Sequence, residues 1–204
     1  MIDCFALLQE PRRPWLDPEA LKQKFLALST RFHPDRVHGA SETERTKAQE
    51  HYAELNAAYQ RLREPKERLQ HLLELELGIK PQQVQRIPPG LMEMSLEVAR
   101  QCRQADTFIA EKGRTASPLL LVQLFEQGQE WTAKLTDLLK QIQSRQETLT
   151  ADVKNLDAEW ETNGDAETQG HKAALARLEE LWRLSSYYAR WAGQLQERIV
   201  RLSL

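Results

Sequence analysis

A histidine, a proline and an aspartate stand in a row at His33, Pro34 and Asp35, inside the stretch STRFHPDR. Histidine beside a carboxylate suggests an acid/base pair or part of a metal site. Neither chemistry finds its remaining parts. The proline ring holds the backbones of His33 and Asp35 apart, so the two side chains do not easily share a hydrogen bond. The nearest further ligands are His38 and His51, and neither has the i, i+4 spacing to His33 that one helix face would supply. No G-x-S-x-G elbow offers a nucleophile, and no glycine-rich loop offers a phosphate cradle. Cys4 and Cys102 are the only cysteines, too few for a disulfide framework or a four-cysteine zinc site, which points to a reducing compartment. The expectation is a protein without catalytic residues, metal or cofactor.

What surrounds the tripeptide is helical. Asp17-Pro18-Glu19 is a start signal: a capping carboxylate, proline at the first helical position and an acid in the first turn. Leu21, Phe25, Leu28 and Phe32 then fall on one face, and Pro34 ends the helix. A polar loop follows. Ser41 with Glu44 fits a capping box, and Ala48, Tyr52, Leu55, Tyr59 and Leu62 line the face of a second helix. Two such helices joined by a short loop form an antiparallel hairpin with the tripeptide at its tip. A short apolar turn at Phe5 to Leu8 precedes them, and a helix from Pro65, closed by Gly78, follows.

Three prolines and a glycine in residues 79–90 read as a linker. Beyond it the periodic segments lengthen. Leu91, Met94, Val98, Cys102, Ala105 and Ile109 make one stripe. Leu121, Leu124, Gly128, Trp131, Leu135, Leu138 and Ile142 alternate steps of three and four, as a coiled-coil seam does. Leu178, Leu181, Ser185, Tyr188, Ala192, Leu195, Ile199 and Leu202 repeat the spacing in the last helix. Strand alternation is nearly absent, so the expected fold is all-α: a helical hairpin module over 1–78, a linker over 79–90, and an elongated, coiled-coil-like three-helix bundle over 91–204. Tryptophans 131, 182 and 191 lie on or beside the seams, where packing explains them.

Charge gives no general field: 28 basic against 30 acidic residues leave a net charge of −2 among 204 residues. Neither nucleic acid nor an anionic membrane is favoured. No apolar run is long enough for a membrane helix, and the N-terminus resembles neither a secretory signal nor a transit peptide. The expected location is cytoplasmic.

FLALSTRFHPDR between two such helices, preceded by DCFALL and followed by AELNAAYQRLREP, resembles the J-domain of DnaJ-type co-chaperones. That resemblance implies that His33, Pro34 and Asp35 form the loop that stimulates a heat-shock ATPase. It also implies that Lys24, Arg31 and Arg36 supply its electrostatic contact. Lys24 and Arg31 are seven residues apart and share one flank; Lys22 projects on the opposite one. No Gly/Phe-rich linker or zinc-binding repeat follows. The order PKERLQHLLELELGIKP, PPGLMEMSLEVARQCRQAD and LARLEELWRLSSYYARWAGQLQERI instead resembles the HscB family, J-type co-chaperones of iron–sulfur cluster assembly. The implied partners are a chaperone ATPase of the DnaK/HscA type and an IscU-like cluster scaffold protein held by the C-terminal bundle.

Met92, Leu96 and Ala99 lie off the main stripe of their helix and form a second apolar stripe. Such a stripe is either a wider contact within the bundle or a docking patch. The resemblance assigns scaffold contact to Met92, Leu96 and Glu97, with Leu91 sharing the register. Two positions depart from the family pattern: an acidic position falls on Arg100, and an aromatic one on Glu180. The central helix is also longer, and an adaptor bundle that recruits the chaperone to another client, or self-associates, is the alternative reading.

Overall fold

The computed structural model describes residues 2–32, 41–79, 87, 89–115, 117–162 and 169–203. His33, Pro34, Asp35 and Arg36 lie outside them. The described residues form helices α1 (Cys4–Leu7), α2 (Pro18–Arg31), α3 (Glu42–Arg63), α4 (Pro65–Leu77), α5 (Met92–Lys112), α6 (Pro118–Thr162) and α7 (Gln169–Ser203), with no strand among them. A 3-10 turn, Pro89–Leu91, leads into α5. No helix is long and apolar enough to cross a membrane among the described residues.

Helix ends follow their local chemistry. The Asp17 carboxylate accepts from the backbone N–H groups of Glu19 and Ala20, and Pro18 opens α2. Ser41 and Glu44 form the reciprocal capping box of α3. Gly78 closes α4 at φ +67°, a left-handed conformation that disfavours a side chain.

Two compact units emerge: Met1–Gln82 with Ala151–Arg183, and Gln83–Thr150 with Leu184–Leu204. These are packing units, whereas 1–78, 79–90 and 91–204 are consecutive modules of sequence. Helices α6 and α7 each contribute residues to both units.

In the first unit, α3 packs against α1, α2 and α4, and Phe5, Leu8, Leu21, Leu55, Leu62, Leu69, Leu72 and Leu73 are buried. The apolar faces expected of α2 and α3 point into this core at Leu21, Leu28, Leu55 and Leu62, while Phe25 and Tyr59 stack at 4.2 Å at its margin. A group of buried polar residues is enclosed with them. Arg68, 2 % exposed, donates to the carbonyls of Pro14 and Leu62, both at 2.9 Å. Leu62 lies in the last turn of α3, whose carbonyls have no intrahelical donor, so the guanidinium caps that helix from inside the core. Burial lowers the Arg68 pKa to about 10, which leaves it a cation at neutral pH. Asp157, also buried, accepts from the Arg13 guanidinium and from the Trp15 backbone N–H at 2.9 Å, and thus ties residues 13–15 to α6. The Trp160 indole N–H donates to the Arg12 carbonyl at 3.1 Å beside this contact.

His71 is fully buried, stacks on Phe5, and accepts the Cys4 backbone N–H on Nε2 at 3.0 Å. Accepting on Nε2 requires the neutral ring. Burial, with the Arg61 guanidinium nearby, pushes its pKa below 6.5; Asp3 and Glu74 oppose this. The unfolded chain therefore binds this proton before the folded chain does as pH falls. The contribution of His71 to stability is complete above pH 6.5 and is lost as pH drops below it. Glu74 and Asp3 are opposed by burial, but their hydrogen bonds, including those from Gln70 and Arg61 to Glu74 and from Arg12 to Asp3, hold both below the usual carboxylate range. They weaken the fold only at lower pH, beneath 4.5. Thermal melts should fall between pH 7 and pH 5, and the slope over that interval should flatten in His71→Leu; an unchanged slope would show that another group carries it.

In the second unit, Met94, Val98, Cys102, Ala105 and Phe108 form the buried face of α5. The expected stripe continued to Ile109, but the last step is three residues, not four: Phe108 turns inward against Trp131 and Gly128, and Ile109 is half-buried. Leu124, Gly128, Leu135, Leu138 and Ile142 are buried along α6, whereas Trp131 is half-buried beneath the Lys134 ammonium. Ser185, Tyr188, Trp191, Leu195 and Leu202 supply the face of α7. The Arg198 guanidinium donates to Asp106 at 2.6 Å and to the Cys102 carbonyl at 3.3 Å, joining α7 to α5. Cys4 and Cys102 are both buried free thiols, and burial raises both pKa values, so neither is set up as a nucleophile.

Candidate protein-interaction surfaces

The first surface is the flank of α2 in the pair it forms with α3. At its C-terminal end, the Phe32 N–H closes α2 by donating to the Leu28 carbonyl at 2.9 Å. The Phe32 ring meets the His51 ring edge-on at 4.6 Å, which accounts for His51 without a metal. Residues 33–40 are thus bounded by a packed helix end on one side and by the Ser41 capping box on the other. Arg31 is exposed, lies over the Phe32 ring at 5.3 Å and has no ion pair among the described residues. Lys24 is differently placed. Its ammonium pairs with Glu10 at 2.8 Å and donates to the Gln9 carbonyl at 2.9 Å, so α2 is tied by it to the preceding segment. Lys22 reaches Glu19, at 3.8 Å.

The second surface is the outer face of α5. Leu96 is 63 % exposed and Met92 46 %, and Ala99 is exposed with them. The alternative left open by spacing, a wider contact within the bundle, does not account for these side chains. Leu91 is 4 % exposed, because the 3-10 turn at Pro89–Leu91 rotates it inward just before α5 begins. Glu97 is held by Arg100, which donates to its two oxygens at 2.7 and 2.9 Å, and by Gln101 at 2.7 Å. These hydrogen bonds, Arg100 first, lower the Glu97 pKa.

Beside this stripe runs an open groove of about 560 Å³. Gly90, Met94, Leu96 and Arg100 line one side, and Leu138, Gln141 and Arg145 of α6 the other. Gln141 and Arg145 are not among the residues expected at this surface. The signal was present: both follow Leu138, at three and seven residues, on the flank of its seam. Glu180, where the family pattern has an aromatic residue, is exposed and paired with Arg177 at 2.6 Å. No group of three or more His, Cys, Asp or Glu side chains able to hold a metal occurs among the described residues.

The exposed apolar and charged side chains of both surfaces lie on helix flanks. No family model matches the chain. It is 41 % identical over 95 residues to the co-chaperone protein HscB homolog of Vibrio cholerae, covering 45 % of this chain and 55 % of that protein. It is 43 % identical over 72 residues to the homolog of Bordetella pertussis, covering 35 % and 42 %. The matched region thus spans about half the length of these curated relatives. Among solved structures, the fold is similar to chaperone HscB from Vibrio cholerae, with a TM-score of 0.61 and 23 % identity, covering 96 % of both chains. It is also similar to human co-chaperone protein HscB, with a TM-score of 0.59 and 20 % identity over 98 % of this chain and 81 % of that one. The sequence likeness is thus to HscB co-chaperone homologs, and the fold is similar to that of the HscB structures.

Proposed function

We propose that the chain is a non-enzymatic co-chaperone of iron–sulfur cluster assembly. In this reading, residues 1–78 act as a J-domain and stimulate a chaperone ATPase of the DnaK/HscA type. His33, Pro34 and Asp35 are the signalling loop, Arg31 and Arg36 its electrostatic contact, and Lys24 mainly a brace for α2. The region over 91–204 presents an IscU-like scaffold protein to that ATPase, through Met92, Leu96 and Glu97. Leu91 supports the start of the same helix. ATP hydrolysis takes place in the partner, so no catalytic residue, metal or cofactor is needed here, and a cytoplasmic setting suits both partners.

One observation carries this reading. A helix face that leaves Leu96 and Met92 in water, next to a second complete apolar face, is unexplained by the unit's own core. Exposed apolar side chains beside a rim of charges are what a protein-binding surface requires. Met92→Ala/Leu96→Ala should weaken scaffold binding about tenfold or more in a titration of the full chain, with its melting curve unchanged. Unaltered affinity would refute this choice of surface.

A second reading makes the C-terminal helices an adaptor for another client or for self-association. The exposed side chains of Leu120, Val122 and Phe125 near the start of α6 favour it. The same measurement separates the two: a chain that stimulates the ATPase yet ignores the scaffold is such an adaptor.

A further inference from the structure

The groove beside α5 carries charge as well as apolar surface, and that charge is not all balanced from within. Glu97 is already answered by Arg100 and Gln101. Glu93 lies in the first turn of α5, where the helix dipole favours a carboxylate. Arg145 lines the groove from the middle of α6, is exposed, and has no carboxylate partner among the described residues. No helix end lies near it along α6 to answer its charge. It shares the groove with Leu96, the more exposed of the two large apolar side chains on the outer face of α5.

We propose that Arg145 is a specificity-determining residue of this surface, and that the scaffold protein bound there presents a carboxylate next to an apolar anchor. The proposal rests on the reading of α5 as the scaffold-docking helix and adds the sign of the partner's charge. The apolar anchor covers Leu96 and Met92, and the carboxylate meets the Arg145 guanidinium, whose planar fork can hold two oxygens at once. Arg100 contributes in a second way. By neutralising Glu97 it removes the negative charge that would otherwise repel an acidic segment at the same rim. A guanidinium at a wet rim acts chiefly on association rate and orientation, so its effect should be strongest at low salt.

The experiment titrates the purified scaffold protein of the same organism into the full-length chain at low and at moderate salt. Wild type is compared with Arg145→Glu, Arg145→Lys and the double variant Met92→Ala/Leu96→Ala. Arg145→Glu should weaken binding about tenfold at low salt, mostly through slower association, and Arg145→Lys should retain most of the affinity. Because Arg145 is exposed, the thermal melts of its variants should match wild type. If Arg145→Glu binds as well as wild type or more tightly while the double variant is weakened, the charge assignment is overturned and the docking surface stands. If the double variant is also unaffected, or wild type does not bind the scaffold at all, the docking reading fails and this proposal with it. Concentration-dependent self-association abolished by Arg145→Glu would assign the groove to a second copy of the chain and overturn the proposal as well.

Discussion

In the proposed J-domain role, His33→Gln is expected to lower stimulation of a DnaK/HscA-type ATPase about thirtyfold, the equivalent of a lost hot spot of about 2 kcal/mol, without changing the melting curve. The reasoning starts at the two helix ends. Phe32 is fastened to the Leu28 carbonyl and to the His51 ring, and Ser41 is fastened to Glu44. The flanking residues Phe32 and Ser41 are therefore held by contacts that do not involve His33, and glutamine at position 33 leaves those contacts unchanged. What glutamine lacks is the imidazole, with its ring and its two distinct nitrogens. A steady-state ATPase assay with HscA-type and DnaK-type chaperones reads the difference. Equal stimulation by both chains would sink the J-domain assignment. The salt dependence of the same assay reports on Arg31: exposed and with no ion pair among the described residues, it should lose influence as ionic strength rises.

The largest effect on stability is expected at Trp182. This side chain is 2 % exposed within the first unit and is among the largest of the fully buried ones. Truncation to alanine removes both its transfer free energy and the surrounding contacts, about 3–5 kcal/mol for a buried tryptophan. Against a total stability of roughly 5–15 kcal/mol, that is enough to shift the denaturation midpoint substantially. Urea titration followed by far-ultraviolet circular dichroism should show the shift, while Leu96→Ala, on an exposed side chain, should leave the midpoint near wild type. A Trp182→Ala midpoint within the scatter of wild type would mean that the site collapses around the smaller residue.

How far the sequence carried the fold differs between local and distant features. Asp17 with Pro18, Ser41 with Glu44, and Gly78 each act within four residues, and all three mark helix ends as read. The seams of α6 and α7 were legible for the same reason, since periodicity is local. Arg68, His71 and Asp157 were not, because charged or polar residues carry an expectation of exposure. Their acceptors and donors stand 54, 67 and 142 residues away in sequence, at Pro14, Cys4 and Trp15. Lys24 belongs with them: its flank was readable, but the return of Glu10 to that flank was not. On α5 the second stripe was legible from spacing, whereas the choice between Leu91 and Met92 depended on where the 3-10 turn hands over to the helix. The α6 side of the groove required knowing which seam faces α5, a tertiary fact.

The Asp157 contact has a consequence for how the chain is made. Arg13 leaves the ribosome 144 residues before the carboxylate that binds it. At about 5–20 residues per second, roughly 7–30 s pass in which that guanidinium and the Trp15 N–H are without their native acceptor. The first unit needs Ala151–Arg183, and the second needs Leu184–Leu204. Neither can be completed early in translation. The N-terminal helices wait in a partly assembled state until Ala151–Arg183 arrives, so the chain spends most of its synthesis with these contacts unmade.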